Sequence, residues 1–292
     1  MKKFLSKAYG LIPFKKQAFG LIKLFWVPPH SLYKHLHFTG IIKIKIDETA
    51  FFNMQHHGTE IENDFFWKGL TKGWEKISMQ YWIQMSRHAN VVLDIGANTG
   101  VYSLVAKSLN ASTGVYAFEP LKQTFKKLSF NNELNKYDIV CIEKAASDKN
   151  GKAIIYETGG DHVAAASLNA ETRNYGNLDV ETEIEAITLD TFIEENNIGK
   201  IDLIKIDVEG HEPNVLDGYK KYLPLHRPDF LIEVLADDIG KKLQQIFDGL
   251  DYCYFNIDDK NGRIRKTDTI MKSDYFNYLV CKKESAKQLK LI

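Results

Sequence analysis

The sequence predicts a doubly wound α/β fold with a mostly parallel sheet, preceded by an N-terminal extension of helices and short strands. Three observations carry this. After residue 90, short apolar runs alternate with helical segments, the pattern of βαβ units. The first of these runs, Val91–Ile95, closes on a glycine turn. The second, residues 115–118, closes on a carboxylate, Glu119. Such sheets bind ligands beyond the C-terminal ends of their strands, near the point where the strand order reverses.

In the extension, residues 1–89, the apolar residues Phe14, Ala18, Leu21, Ile22 and Phe25 recur at helical spacing. Lys15, Lys16 and Lys23 lie off that stripe, and Pro28-Pro29 ends it. The pattern suits a helix lying in a membrane interface and equally a helix packed on the chain's own body. Ile42, Ile44 and Ile46 alternate as in a strand, and Ile77, Tyr81, Trp82 and Met85 share one face of a helix predicted over 74–87. From residue 90 to 292, seven strands are predicted at 91–95, 115–118, 139–146, 201–206, 230–235, 252–257 and 278–282. Helices fall at 102–109, 124–134, 214–222 and 239–250, with β-rich edges at 152–156 and 183–188.

Lysine plus arginine and aspartate plus glutamate are both 38, so net charge points to no partner. Its distribution does. The first 46 residues hold nine lysines and no Asp, Glu or Arg, which predicts peripheral contact with an anionic surface through residues 1–29. The remainder is net acidic, the wrong sign for a phosphate backbone, so no nucleic-acid partner is expected. Cys141, Cys253 and Cys281 form no CxxC, which suits a reducing cytoplasm rather than a disulfide framework or zinc site. No apolar run reaches the roughly 18 residues of a spanning helix, and Lys7 and Pro13 interrupt any signal-peptide core. The pairs His35-x-His37 and His56-His57 lack further ligands at metal spacing, so no metal is expected there.

The first strand ends Asp94-Ile95-Gly96-Ala97-Asn98-Thr99-Gly100. This D-x-G-x-x-x-G lacks the second glycine of G-x-G-x-x-G, the one that admits a pyrophosphate. It favours a nucleoside ligand without a diphosphate over a nicotinamide dinucleotide, although a plain strand-to-helix turn has the same pattern. Glu119, 25 residues after Asp94, can accept both hydroxyls of a ribose. Ser147-Asp148 ends the third strand, where an adenine edge is expected, and is also an ordinary turn. Most distinctive is Lys205-Ile206-Asp207-Val208-Glu209-Gly210-His211-Glu212, with three carboxylates, a lysine and an imidazole at the end of an apolar strand. Charged groups are costly to bury unpaired, so this string should face a cleft.

Together with Phe118-Glu119-Pro120, residues 147–151 and Thr188-Leu189-Asp190, these strings resemble the FkbM-type methyltransferases, over roughly residues 90–235. The resemblance implies a class I, Rossmann-like methyltransferase fold, S-adenosylmethionine (SAM) as methyl donor, and O-methylation of a hydroxyl, most often on a sugar of a glycan. It implies that Asp94, Gly96, Asn98 and Gly100 hold the methionine end of SAM. Glu119 then takes the ribose, and Ser147 and Asp148 the adenine end. Removing the acceptor proton calls for a positioned base. His211 is the first candidate, because its ordinary pKa lies near neutrality; it could instead only begin the next helix. Asp207 and Glu209 are alternatives, and Glu233 adds a carboxylate to the same rim. Asp207, Glu209 and Glu233 could together hold a hard divalent cation. The insertion 159–180, with Asp161, His162, Arg173 and Tyr175, is a candidate for the acceptor pocket, and the helix over 74–87 and the aromatic run Phe65-Phe66-Trp67 are candidates to cover the site or stack on a sugar ring. A Rossmann-type oxidoreductase and a non-catalytic SAM-binding module are the alternatives.

Overall fold

The computed structural model describes residues 13–157, 166–168 and 180–292. The basic residues Lys2, Lys3 and Lys7 and most of the insertion 159–180, including Asp161, His162, Arg173 and Tyr175, lie outside them. The extension opens with a helix, Lys15–Phe25, and a short turn of helix, His30–Tyr33. An antiparallel pair follows, β1 (Gly40–Lys45) with β2 (Phe51–His56). In β1 the predicted alternation holds: Ile42 and Ile44 are buried, and Lys43 and Lys45 are exposed. Two helices, Glu60–Lys68 and Lys76–Ser86, complete the extension. The second buries Ser78, Met79, Trp82 and Ser86, so only Trp82 of the predicted face is fully inside. Ile77, Tyr81 and Met85 pack at the margin of the core.

Beyond residue 90 the strands of the main sheet are β3 (Val91–Ile95), β4 (Gly114–Phe118) and β5 (Val140–Ile142). A separate sheet takes β6 (Ala145–Ala146), β7 (Gly151–Glu157), β8 (Ala166–Ser167) and β9 (Val180–Ile187). The main sheet resumes with β10 (Leu203–Ile206), β11 (Asp229–Glu233), β12 (Tyr252–Asp258), β13 (Arg263–Thr267) and β14 (Asn277–Lys282). Its order is β13-β12-β14-β11-β10-β3-β4-β5. From β5 to β11 all neighbours are parallel; β14 runs antiparallel to β11 and β12. The chain leaves β3 toward β4 and β5, then returns to place β10 on the other side of β3. The doubly wound arrangement is therefore present, and its switch point lies between β3 and β10.

Two predictions need correction. The sheet has eight strands, not seven, because β13 pairs with β12 through an Asn261-Gly262 turn with Gly262 at φ 74°. Its sequence, Arg-Ile-Arg-Lys-Thr, is too charged to register as a strand, yet charge is how an edge strand resists further pairing. Asn-Gly after an apolar strand was the available signal. The predicted strand 139–146 is also two pieces, β5 in the main sheet and β6 in the small one, since its apolar run is broken by Glu143-Lys144.

The extension shares a core with the sheet: Phe52, Met54, Trp67, Met79 and Trp82 pack in one cluster with Val92, Leu104, Leu203 and Leu279. Polar ties fix its position. The β2 edge is closed by the helix Lys122–Asn135, where Asn135 exchanges hydrogen bonds with the Asn53 backbone (2.7 Å each) and Asn131 accepts from Gln55 N. Trp82 Nε1 donates to the Tyr102 carbonyl at 3.0 Å. Asp259, in the β12–β13 connection, accepts from Ile77 N, Ser78 N and Ser78 Oγ, satisfying amides that helix 76–86 leaves open at its start. No helix of the described residues is long and apolar enough to cross a membrane.

Candidate functional site

A cavity of about 620 Å³ opens over the switch point. One wall is the glycine turn after β3, Gly96 to Thr99, with Glu119 after β4; the other is the segment after β10, Asp207 to Glu209, with Glu233 at the end of β11. The two walls meet tightly. Gly96 sits at φ 78°, and a Cβ there would lie 1.9 Å from the Asp207 carbonyl oxygen, so glycine is needed for the β3 and β10 ends to approach.

The turn and Glu119 form one unit. Glu119 Oε2 accepts from Asn98 N (3.1 Å) and Oε1 from Leu121 N (3.0 Å). Asn98 makes its contact from the left-handed region, φ 50°, which asparagine tolerates. Burial pushes the Glu119 carboxyl up to about 7, against those two amides. Glu119 lines the cavity. Asp94 does a different job: it is fully buried, and its Oδ2 takes Ser103 N (2.9 Å) and Ser103 Oγ (2.6 Å). It anchors helix Val101–Leu109 behind the turn, and neither Asp94 nor Gly100 lines the cavity.

Below the turn lies a charged group that the sheet register assembles. Lys205 stands beside Asp94 across the parallel pair β10–β3. Its Nζ contacts Asp207 Oδ2 at 2.7 Å and lies 4.6 Å from the Tyr102 ring centroid. Burial alone would lower this ammonium; Asp207, Glu75 and Asp94 outweigh it and hold it above its ordinary value. Tyr102 donates to Glu75, whose carboxyl burial pushes up to about 7 against the pull of Lys205. Glu75 comes from the extension, at φ 44° before helix 76–86. Sequence reading missed it, because one glutamate before a helix carries no signal for a site over a hundred residues away. Tyr102 was read only as part of a helix.

Asp207, Glu209 and Glu233 converge, each offering an oxygen within 4.8 Å of the others. Burial, then Asp207, raises Glu209 to about 7, and burial with Asp207 and Glu209 raises Glu233 well above the carboxylate range. The loop bearing Glu209 is fixed from below: Glu212 accepts from Val208 N (3.2 Å) and Gly210 N (3.1 Å), which allows Glu209 its φ of 54°. Among the described residues the histidine pairs form no comparable ligand group.

Besides Asp94 and Gly100, three more expected positions fall outside the cavity lining. His211 begins helix Glu212–Asp217, and its Nε2 lies 2.9 Å from Ser147 Oγ; burial lowers the imidazole to about 4. His211, Ser147 and the half-buried Asp148 join one another but do not line the cavity, where Lys144, Ala145 and Ala146 appear instead. Of the aromatic run, Phe65 and Trp67 are core, and Phe66 packs against it; the aromatics facing the cavity are Trp74, Tyr102 and Phe118.

The family model for the methyltransferase FkbM domain matches residues 94–257, from the end of β3 through most of β12. The chain belongs to the FkbM methyltransferase family. Among curated members, it is 26% identical over 136 residues to the hexuronic acid methyltransferase AglP of Haloferax volcanii, covering 47% of this chain and 52% of that one. It is 30% identical over 156 residues to the 31-O-demethyl-FK506 methyltransferase FkbM of Streptomyces tacrolimicus (45% and 60%). With the 2-O-methyltransferase NoeI of Sinorhizobium fredii it shares 29% over 144 residues (46% and 58%). The chain thus spans between about half and three fifths of the length of these relatives. The methyl donor of the family is SAM, and the cavity combines the Glu119 carboxylate and the glycine turn with apolar walls from Leu121, Ile155 and Leu168. Membership in a methyltransferase family sets aside the oxidoreductase alternative.

Proposed function

We propose that this protein is a SAM-dependent O-methyltransferase that methylates a hydroxyl of a sugar in a glycan or glycan precursor. One observation carries it: a single cavity joins Glu119 and the glycine turn to the carboxylates Asp207, Glu209 and Glu233. The first wall suits the donor and the second an acceptor hydroxyl. Two of the relatives above carry O-methylation in their names, and AglP a hexuronic acid, which supports the acceptor class.

Bound SAM supplies an electrophilic methyl on a sulfonium. Transfer forms a C–O bond as the C–S bond breaks, and the acceptor proton must leave. The cavity must hold the acceptor oxygen about 3 Å from the methyl carbon and in line with the breaking bond. Lys205 pairs with Asp207 at 2.7 Å. Burial, with Asp207 and Glu209 beside it, raises Glu233 and favours its protonated form, which can donate to the sugar. Glu209, raised to about 7, is poised to accept the acceptor proton, since a base works best near the operating pH. His211 ties the Glu209 loop to Ser147 and acts on position rather than on the proton. The three carboxylates also suit a hard divalent cation, which would lower the pKa of a coordinated hydroxyl; Lys205 already gives Asp207 a fixed positive partner.

The test is methyl transfer from labelled SAM to a panel of uronic acids, neutral hexoses and their glycosides, with Glu209→Gln and His211→Ala beside the wild type. Labelled O-methyl sugar, lost in Glu209→Gln and lowered less in His211→Ala, supports the assignment. Full turnover by Glu209→Gln removes that residue as base, and transfer to none of the sugars removes the acceptor class.

A further inference from the structure

Helix Lys15–Phe25 is mounted inside out. An amphipathic helix in water turns its apolar stripe to the core and its charges outward. Here the predicted stripe faces away from the protein: Phe14 is 73% exposed, Leu21 63%, Ile22 40% and Phe25 89%, with Ala18 exposed among them, and Leu24 beside the stripe is exposed too. The opposite side is the attached one. Phe19 is its buried anchor, packed against Phe38 and Trp67, while Lys16 and Lys23 reach inward to donate to the Ile41 and Phe66 carbonyls. Trp26, 54% exposed, follows at the helix end.

We propose that this face docks on a phospholipid bilayer bearing anionic headgroups. Contiguous exposed apolar side chains mark a surface that meets an apolar phase. A helix with aromatics and leucines on its free side is built to lie at the headgroup boundary. Charge complementarity gives the sign of the lipid: the first 46 residues carry nine lysines and no acidic residue, and the cytoplasmic leaflet of membranes is negative. The docked helix also adjoins the site. His30, just beyond it, hydrogen-bonds Glu60 at 2.9 Å, and Glu60, Ile61 and Glu62 line the cavity. Docking therefore brings the cavity beside the lipid surface, where a lipid-linked saccharide would present its hydroxyls. That consequence rests on the methyltransferase reading; the docking itself does not.

The experiment is co-sedimentation of the full chain with vesicles of phosphatidylglycerol and phosphatidylcholine, against phosphatidylcholine alone, at low and high salt. A Leu21→Ser/Phe25→Ser variant changes only exposed side chains. S-adenosylhomocysteine affinity, melting temperature and sedimentation velocity are recorded for both proteins. Expected are binding to the anionic vesicles that weakens with salt, and at least tenfold weaker partitioning of the variant, with cofactor affinity and melting unchanged. No binding by the wild type, or equal binding by the variant, overturns the proposal. So does a lipid-indifferent wild-type dimer that the variant turns into monomer, which would make the face an interface between copies. Loss of cofactor binding in the wild type would instead overturn the methyltransferase reading and leave docking intact.

Discussion

Glu119 is held at both carboxylate oxygens by backbone amides of two different segments, so its orientation is set before any ligand arrives. Glu119→Ala should lower S-adenosylhomocysteine affinity at least tenfold, as measured by calorimetry, while the fold persists. Glu209 and Glu233 sit across the cavity, and their raised pKa values give the sign of a pH dependence. A base must be ionised to work, so kcat/KM should rise with pH through an apparent pKa near 7 and flatten above it. Glu209→Gln should remove that limb and lower kcat by about 10²–10⁴-fold, the usual contribution of a general base, with cofactor affinity unchanged. A limb that survives in Glu209→Gln would move the role to another group. At this scale the sequence was legible wherever residue type and strand end sufficed, as for Glu119, Asp207, Glu209 and Glu233. Asp94, Gly100, Ser147, Asp148 and His211 do not line the cavity, because neighbours in sequence need not face the same side. The 205–212 string bends at Glu209 and Gly210, both at positive φ, which turns the imidazole away from the cavity.

At the scale of elements, helix 76–86 depends on a residue far from it. Asp259 takes the first free amides of that helix and the Ser78 hydroxyl, and the residue before the helix is Glu75, which reaches Tyr102. Asp259→Ala should cost about 1 kcal/mol of stability, as loss of a helix cap does. It should also lower turnover by loosening Glu75, read by denaturant melts beside steady-state kinetics. An unchanged midpoint would show that water replaces the aspartate at no cost. Gly96→Ala tests the other junction. With the Asp207 carbonyl 1.9 Å from the added carbon, β3 and β10 must separate, and both melting temperature and cofactor affinity should fall. Elements with clear apolar periodicity, such as β3, β4, β10 and β11, were legible within a residue or two. The β13 edge was not, because exposed strands need no apolar residues. The helix predicted at 214–222 ends at Asp217, where Gly218 passes close against the Ser147 carbonyl, a tertiary contact that no local pattern encodes.

For the whole molecule, folding holds carboxyls in the cavity and beneath it above their ordinary range: Glu75, Glu119 and Glu209 on its lining and Glu212 behind it, each raised to about 7 chiefly by burial. Such groups bind more protons folded than unfolded, so the stability they contribute is present at low pH and lost as pH rises through 7. His56 and His211, lowered to about 4 by burial, act in the other sense, but only as pH falls below about 6.5. Between about pH 6.5 and 8 the carboxyls act alone, and the melting temperature of the ligand-free chain should fall across that interval. A flat or rising profile in differential scanning calorimetry would mean that the cavity carboxyls are better solvated than their packing indicates. Fold class was legible at this scale from the strand–helix alternation alone. Of the extension, a helix over 74–87 beside the site was expected, and Trp74 and Glu75 at its start line the cavity; nothing in the composition shows that Glu75 completes the charged group, and the pattern of the first helix left open which way its apolar stripe turns.

The most direct measurement is calorimetric titration of the purified chain with S-adenosylhomocysteine and, separately, with NAD⁺, using Glu119→Ala as the control. The expected result is micromolar binding of S-adenosylhomocysteine, none of NAD⁺, and loss of the former in the variant. Preference for NAD⁺, or no binding of S-adenosylhomocysteine, would contradict the assignment of this cavity to the methyl donor.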